Sequence, residues 1–231
     1  MGFERGNRMP KYTAAIFDLD GTLLDSMKVW EQVDREFLGR RKLSFTPDYT
    51  EKVSAMSFAE AARYTVERFH LGEAPEELMR EWNEMVTEQY AHHIVLKPGA
   101  RECLRFLRER GFVFGVATAL SPQLYGPVLC NNGIYDEFRA FASVPEVARG
   151  KEFPDVYLLC AKRLGAEPGG CIVFEDVLEG LRGAKAAGMA AVGVHDAISG
   201  LSEQTARTVA DGYIRTLHQV RQREFALKFL Q

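Results

Sequence analysis

Five short apolar runs constrain this chain most: 13–17 (TAAIF), 112–117 (FVFGVA), 139–142 (RAFA), 171–174 (CIVF) and 190–194 (AAVGV). None keeps a sustained apolar–polar alternation. A strand with one wet face alternates, whereas a strand covered on both faces does not. Helical patterns lie between the runs. Ala100, Leu104 and Leu107 are spaced by three to four, as are Val156, Leu159, Cys160 and Leu164, and again Leu178, Leu181, Ala184 and Ala187. Gly188 is a natural stop for the last of these. Strand–helix alternation from about residue 98 predicts an α/β fold, a doubly wound parallel sheet. Ligands in such folds bind beyond the carboxyl ends of the strands.

Residues 27–95 break this rhythm. Met27, Trp30, Val33 and Phe37 keep helical spacing, then Ala59, Ala62, Val66 and Phe69, then Leu78, Trp82, Met85 and Gln89. No strand-like run interrupts them, and Pro98 and Gly99 punctuate the return. The expected division is therefore an α/β core made of 1–26 and 96–231, with an inserted helical cap at 27–95. A helical block spliced in after the first strand reads as a lid; a purely structural helical layer is the alternative. Beyond residue 198 one helix-like segment is expected, at roughly 214–229.

The chain of 231 residues is 46% hydrophobic and 26% charged with a formal net charge of −3, which suits a globular protein. Nothing in that balance suggests a nucleic-acid binder, and a phosphate-bearing partner would need a local site. The apolar runs are too short to span a bilayer. Residues 1–10 contain no apolar leader core, and Cys103, Cys130, Cys160 and Cys171 form no C-x-x-C pair. The expectation is a reduced, cytoplasmic protein whose thiols act as small core residues, with a monomer as the default.

The first strand ends directly on Asp18 and Asp20, followed by Gly21 and Thr22. Adjacent carboxylates at a strand end are costly unless something positive lies between them. A hard divalent cation such as Mg²⁺ fits, taking carboxylates together with phosphate oxygens and water. Taken alone, the pair equally suits a helix N-cap. Three later stretches add to it. FEDVLEG places Glu175 and Asp176 at another strand end. VATALS ends a strand with the hydroxyl of Thr118 and the amide of Ala119. ARGKEFPD sets Lys151 in a loop before a helix. Four acids, a hydroxyl, an ammonium and free amides at one sheet edge are what a metal and a phosphate need together.

These stretches, in this order, resemble the four motifs of the haloacid dehalogenase superfamily, over about 13–194. The helical insert is similar to the small α-helical cap of the branch that includes beta-phosphoglucomutase and phosphoglycolate phosphatase. Asp20 separates the chain from the dehalogenases themselves, which lack that second acid. Glu152 and Val177 depart from the common pattern, which more often has proline and serine there. The resemblance implies phosphoryl transfer through an aspartyl-phosphate. Asp18 would be the nucleophile and Asp20 the general acid and base. Thr118, Ala119 and Lys151 would bind and stabilise the phosphoryl group. Asp18, Asp20 (through its carbonyl), Glu175 and Asp176 would hold Mg²⁺. The implied enzyme is a phosphatase of a small phosphorylated metabolite. A sugar-phosphate mutase is the alternative, ahead of a phosphonate hydrolase using Lys42 or Lys52 and of a non-catalytic phosphate-binding regulator.

Other residues have blander readings. His92 and His93 suit surface or hinge packing better than a metal site, and Trp30 and Trp82 suit core packing. Asp155 starts a helix or orients the lysine loop. The segment 40–58 is expected to carry specificity, with Arg40, Arg41 and Lys42 either meeting a second anionic group or lying solvated.

Overall fold

In the computed structural model of the chain, residues 12–54, 56 and 58–230 are described. The ten opening residues read above for a leader, and positions 55 and 57 of the 40–58 segment, lie outside them. The chain forms two compact units. One comprises 1–25 and 95–231, the other Ser26–Ile94.

The first unit carries a six-stranded, all-parallel sheet. Its strands are β1 (Ala14–Phe17), β2 (Val113–Thr118), β3 (Phe138–Ser143), β4 (Cys171–Glu175), β5 (Ala190–Val194) and β6 (Gly212–Ile214), in the order β3-β2-β1-β4-β5-β6. The second unit supplies α1 (Val29–Arg40), α2 (Pro47–Ser54), α3 (Phe58–Phe69) and α4 (Pro75–His92). The sheet is flanked by α5 (Ala100–Arg108), α6 (Pro122–Asn131), α7 (Asp155–Leu164) and α8 (Leu178–Ala186), followed by α9 (Glu203–Ala206) and α10 (Arg223–Phe229).

The missing alternation in β1 has a direct cause, since all four of its residues are fully buried. Ala14 and Ile16 join a cluster with Val173, Ala191, Val156, Cys160 and Leu181. Phe17 points the other way, as period-two geometry requires. There it stacks on Phe174 at 4.7 Å and meets Phe114 and Phe138 edge-on. Each fully buried side chain of this size contributes roughly 1.5–3 kcal/mol. Burial on both faces is what makes this strand a rigid mount for the residues that follow it.

Three details differ from the sequence expectation. The tail forms β6, a 3₁₀ turn at Leu217–Arg221 and the short α10 instead of one long helix. Gly212 opens β6, which pairs in parallel with β5 through Val192–Gly212, Gly193–Tyr213 and Val194–Ile214. In α1 the buried stripe is Val29, Val33, Asp34, Phe37 and Leu38, and Trp30 is 47% exposed, so the expected core role of Trp30 does not hold. Cys130 is exposed, while the other three thiols are buried; all four are free. No helix among the described residues is long and apolar enough to cross a membrane.

Candidate active site

Asp18 continues β1 without a break, and its N–H donates to the carbonyl of Phe174 at 3.0 Å. Phe17 is level with Phe174 in the parallel register, so Asp18 and Glu175 stand side by side at the ends of adjacent strands. Asp176 follows at once. One oxygen from each of Asp18, Glu175 and Asp176 lies within 4.8 Å of the others, and all three residues are buried. The sequence pattern of two acid-tipped strands thus becomes a single cluster.

Lys151 enters from the loop between β3 and α7. Its Nζ lies 2.6 Å from Asp18 Oδ1 and 2.7 Å from Glu175 Oε2. Tyr157, on the first turn of α7, donates its hydroxyl to the same Glu175 oxygen at 3.1 Å. Three carboxylates therefore face one ammonium. Burial alone would lower the Lys151 pKa, but Asp18 and Glu175 outweigh it and raise it well above the ordinary lysine value. Burial, reinforced by the charge on Asp18, raises both Glu175 and Asp176 above the usual carboxylate range. The cluster is short of positive charge.

Asp176 shows where that charge belongs. Its Oδ1 accepts from Thr22 Oγ1 at 3.0 Å, while its buried Oδ2 has no hydrogen-bond partner among the described residues. Gly21, at φ +73°, passes so close that a Cβ there would collide with the Asp176 carboxylate. An all-oxygen set with one orphaned, buried oxygen suits a hard divalent cation. Asp20 lies two residues beyond Asp18, where it bridges to Leu24; its carboxylate is not among the three clustered side chains.

At the end of β2, Thr118 is buried and its Oγ1 accepts the N–H of Leu120 at 3.1 Å. That leaves the hydroxyl proton for another acceptor. Ala119 is exposed beside it. Asp155 accepts from Arg149 Nη2 at 2.7 Å and so ties together the two ends of the lysine loop.

Two participants were not singled out from the sequence. Tyr157 sits among apolar helix positions and carries no distinguishing spacing. Lys97 lies in the stretch LKPGA, where Pro98 and Gly99 drew attention as punctuation. Its Nζ donates to the carbonyl of Gly21 at 2.6 Å, to that of His195 at 2.8 Å and to Asp196 Oδ2 at 3.0 Å. It thereby anchors the turn after Asp20. In the helical unit, Arg40 and Arg41 are taken up by Glu36, Glu73 and Glu81, and exposed His92 lies 3.8 Å from Glu88.

The haloacid dehalogenase-like hydrolase family matches residues 12–188. Fructose-1-phosphate phosphatase YqaB of Escherichia coli (strain K12) is 30% identical over 184 residues, which are 80% of this chain and 97% of that protein. The fold is shared with CbbY from Rhodobacter sphaeroides in complex with phosphate, at a TM-score of 0.71 and 22% identity over 92% and 97% of the two chains. It is shared as well with beta-phosphoglucomutase from Clostridium difficile, at a TM-score of 0.69 and 21% identity over 96% and 98%. With its acid-tipped parallel strands, buried lysine and family match over most of its length, the chain belongs to the haloacid dehalogenase-like hydrolases, among their phosphoric monoester hydrolases.

Proposed function

We propose that the chain is a Mg²⁺-dependent phosphatase of small phosphorylated metabolites, of the sugar-phosphate kind, acting through an aspartyl-phosphate on Asp18. The observation that carries this is the ion pair of Lys151 with Asp18 inside a buried cluster of three carboxylates. The E. coli relative that hydrolyses fructose 1-phosphate supports the sugar-phosphate class.

Asp18 is paired with and aimed by Lys151, and its other carboxylate oxygen attacks phosphorus. The bond from phosphorus to the leaving alkoxide breaks, and Asp20 delivers the proton that alkoxide needs. Asp20, now a carboxylate, takes a proton from the water that hydrolyses the aspartyl-phosphate. Thr118 gives its uncommitted hydroxyl proton, and Ala119 its N–H, to the phosphoryl oxygens, while Lys151 keeps a fixed positive charge beside them. Glu175 and Tyr157 hold Lys151 in place. Asp18, Asp176 and the Asp20 carbonyl, with Glu175 directly or through water, would hold Mg²⁺, which supplies charge neutralisation for the transferring phosphoryl group. The unit Ser26–Ile94 is read as the cap of this enzyme, from its insertion just after the first motif. Free thiols support a reducing, cytoplasmic setting, and a monomer is the working unit.

The test is turnover of fructose 1-phosphate and a panel of phosphorylated metabolites, with and without excess chelator, by wild type and Asp18→Asn. The expected result is loss of activity in chelator and a fall of about a thousandfold or more in the variant, together with loss of a phosphorylated enzyme trapped by rapid acid quench. Undiminished turnover in either arm overturns the mechanism. A mutase would instead convert a hexose 1-phosphate to its 6-phosphate without net release of phosphate; a likeness of fold is its support.

A further inference from the structure

We propose that the helical unit holds a binding pocket for a small organic cation, with the Asp34 carboxylate as counter-ion and the rings of Trp30, Phe58 and Trp82 as walls. The inference goes beyond the phosphatase reading and does not depend on it. These four residues, with Tyr49 and Met56 among others, line a cavity of about 380 Å³ within Ser26–Ile94.

Asp34 is the unusual member. It is only 7% exposed, yet among the described residues it has neither a hydrogen bond nor an ion pair. Burying a carboxylate without a partner is strongly unfavourable. Trp82 Nε1, on the wall of the same cavity, is buried with no hydrogen-bond partner among the described residues and so gives nothing to Asp34, and other groups of the unit are committed elsewhere. The Tyr49 hydroxyl lies 2.9 Å from Thr65 Oγ1, whose own proton goes to the Ala61 carbonyl at 2.7 Å, so the tyrosine proton is given to Thr65. Arg35 pairs with Glu31, Arg41 with Glu73 and Glu81, and Arg68 with Asp48. Glu31, one turn before Asp34, adds like charge. Burial and Glu31 together raise the Asp34 pKa to about 7, and a bound cation would favour its ionised form.

The walls suit the same ligand. Trp30 meets Phe58 edge-on at 5.7 Å, and Phe58 meets Trp82 at 5.6 Å, which sets three π-systems side by side along the cavity. Aromatic faces around a desolvated carboxylate attract alkylammonium groups, through the ring quadrupoles and the opposite charge together. A neutral polyol would donate hydroxyl hydrogen bonds to the carboxylate but bring no opposite charge to it. Trp30 is half-exposed, so the pocket has an aromatic edge open to solvent.

The ammonium group has two sources, a free amine or a phosphomonoester that carries one. The experiment titrates the full chain with choline and with its neutral isostere 3,3-dimethylbutan-1-ol, following tryptophan fluorescence, since Trp30 and Trp82 line the cavity. Choline is expected to bind at least about tenfold more tightly than the isostere, and Asp34→Asn to lose at least about tenfold of the choline affinity. Trp30→Leu, at an exposed position, is expected to weaken choline with the fold intact. Equal binding of the two probes by wild type, or no saturable choline signal up to about 100 mM, overturns the proposal, whatever the variants do. Turnover of an aryl phosphate then separates the sources. Competitive inhibition by choline, with a lower KM for phosphocholine than for 3,3-dimethylbutyl phosphate, assigns the cation to the substrate; binding without inhibition assigns it to a free amine. The fluorescence signal needs no catalysis, so its failure is distinct from failure of the phosphatase reading.

Discussion

Lys97 shows how a residue outside the motifs sets the geometry of residues inside them. Its ammonium joins the Gly21 carbonyl to the segment after β5 through His195 and Asp196. Gly21 in turn lies against Asp176. Removing the ammonium leaves the turn free to shift, and misplacement of a catalytic group by about 1 Å costs on the order of a hundredfold in rate. Lys97→Met is expected to lower kcat by roughly ten- to a hundredfold with KM little changed. Steady-state kinetics on an aryl phosphate checks this, and an unchanged kcat would show that the turn holds itself. Asp34 gives a second prediction at this scale. Its folded pKa, about 7, stands above the ordinary aspartate value of 3.8. The protonated form is favoured in the folded unit, so the stability tied to this group is complete below pH 4 and is lost as pH rises through about 7. The loss reaches on the order of a few kcal/mol. Thermal melts between pH 5 and 8 should fall more steeply for wild type than for Asp34→Asn, whose slope lacks this contribution.

At the scale of elements, α8 is pressed against the lysine loop. A Cβ on Gly183 would run into the carbonyls of Lys151 and Phe153 and the ring of Tyr157. Gly183→Ala should therefore destabilise the chain by about 1–3 kcal/mol, the range for overpacking, and depress activity as it pushes the loop that carries Lys151. Calorimetry and kinetics on the same sample test both halves; a stable, fully active variant would mean the loop gives way at no cost. The elements were also what the sequence made most legible. Apolar runs without alternation located β1, β2, β4 and β5 because burial on both faces removes the polar positions that alternation needs, while β3, at the sheet edge with Arg139 exposed, was located by its run of apolar residues alone. The three-to-four spacing placed α7 at Asp155–Leu164, as found. β6 escaped because a three-residue strand at the sheet edge, with only Ile214 buried, is too short to show a period. Trp30 was misread because helical spacing gives the phase of a stripe less firmly than its period, and the buried face of α1 falls one residue away, on Val29. At the site, the gathering of acids at strand ends was legible, since Asp18, Glu175 and Asp176 do cluster. Lys97 and Tyr157 were not, since each acts through a contact far away in sequence.

For the whole molecule, the unbalanced charge of the Asp18, Glu175 and Asp176 cluster is a reserve of stability that a cation would release. A ligand that binds only the folded state at a hundred times its Kd adds about 2.7 kcal/mol. Titrating Mg²⁺ into metal-stripped protein should raise the thermal midpoint by several degrees. Asp176→Asn should blunt that rise. A midpoint indifferent to Mg²⁺ in the wild type would count against a metal at this cluster. The sheet order has a consequence for how the chain comes to be active. β1 sits between β2 and β4, pairing Ala14 with Val113 on one side and with Cys171 on the other, and all of Ser26–Ile94 intervenes before either partner. During synthesis Asp18, the proposed nucleophile, emerges before its neighbours and meets them late, after a contiguous bundle has already left the ribosome. Non-local pairings of this kind close slowly, so a nascent or truncated chain lacking β4 carries the Asp18 carboxylate with no Glu175 or Asp176 beside it.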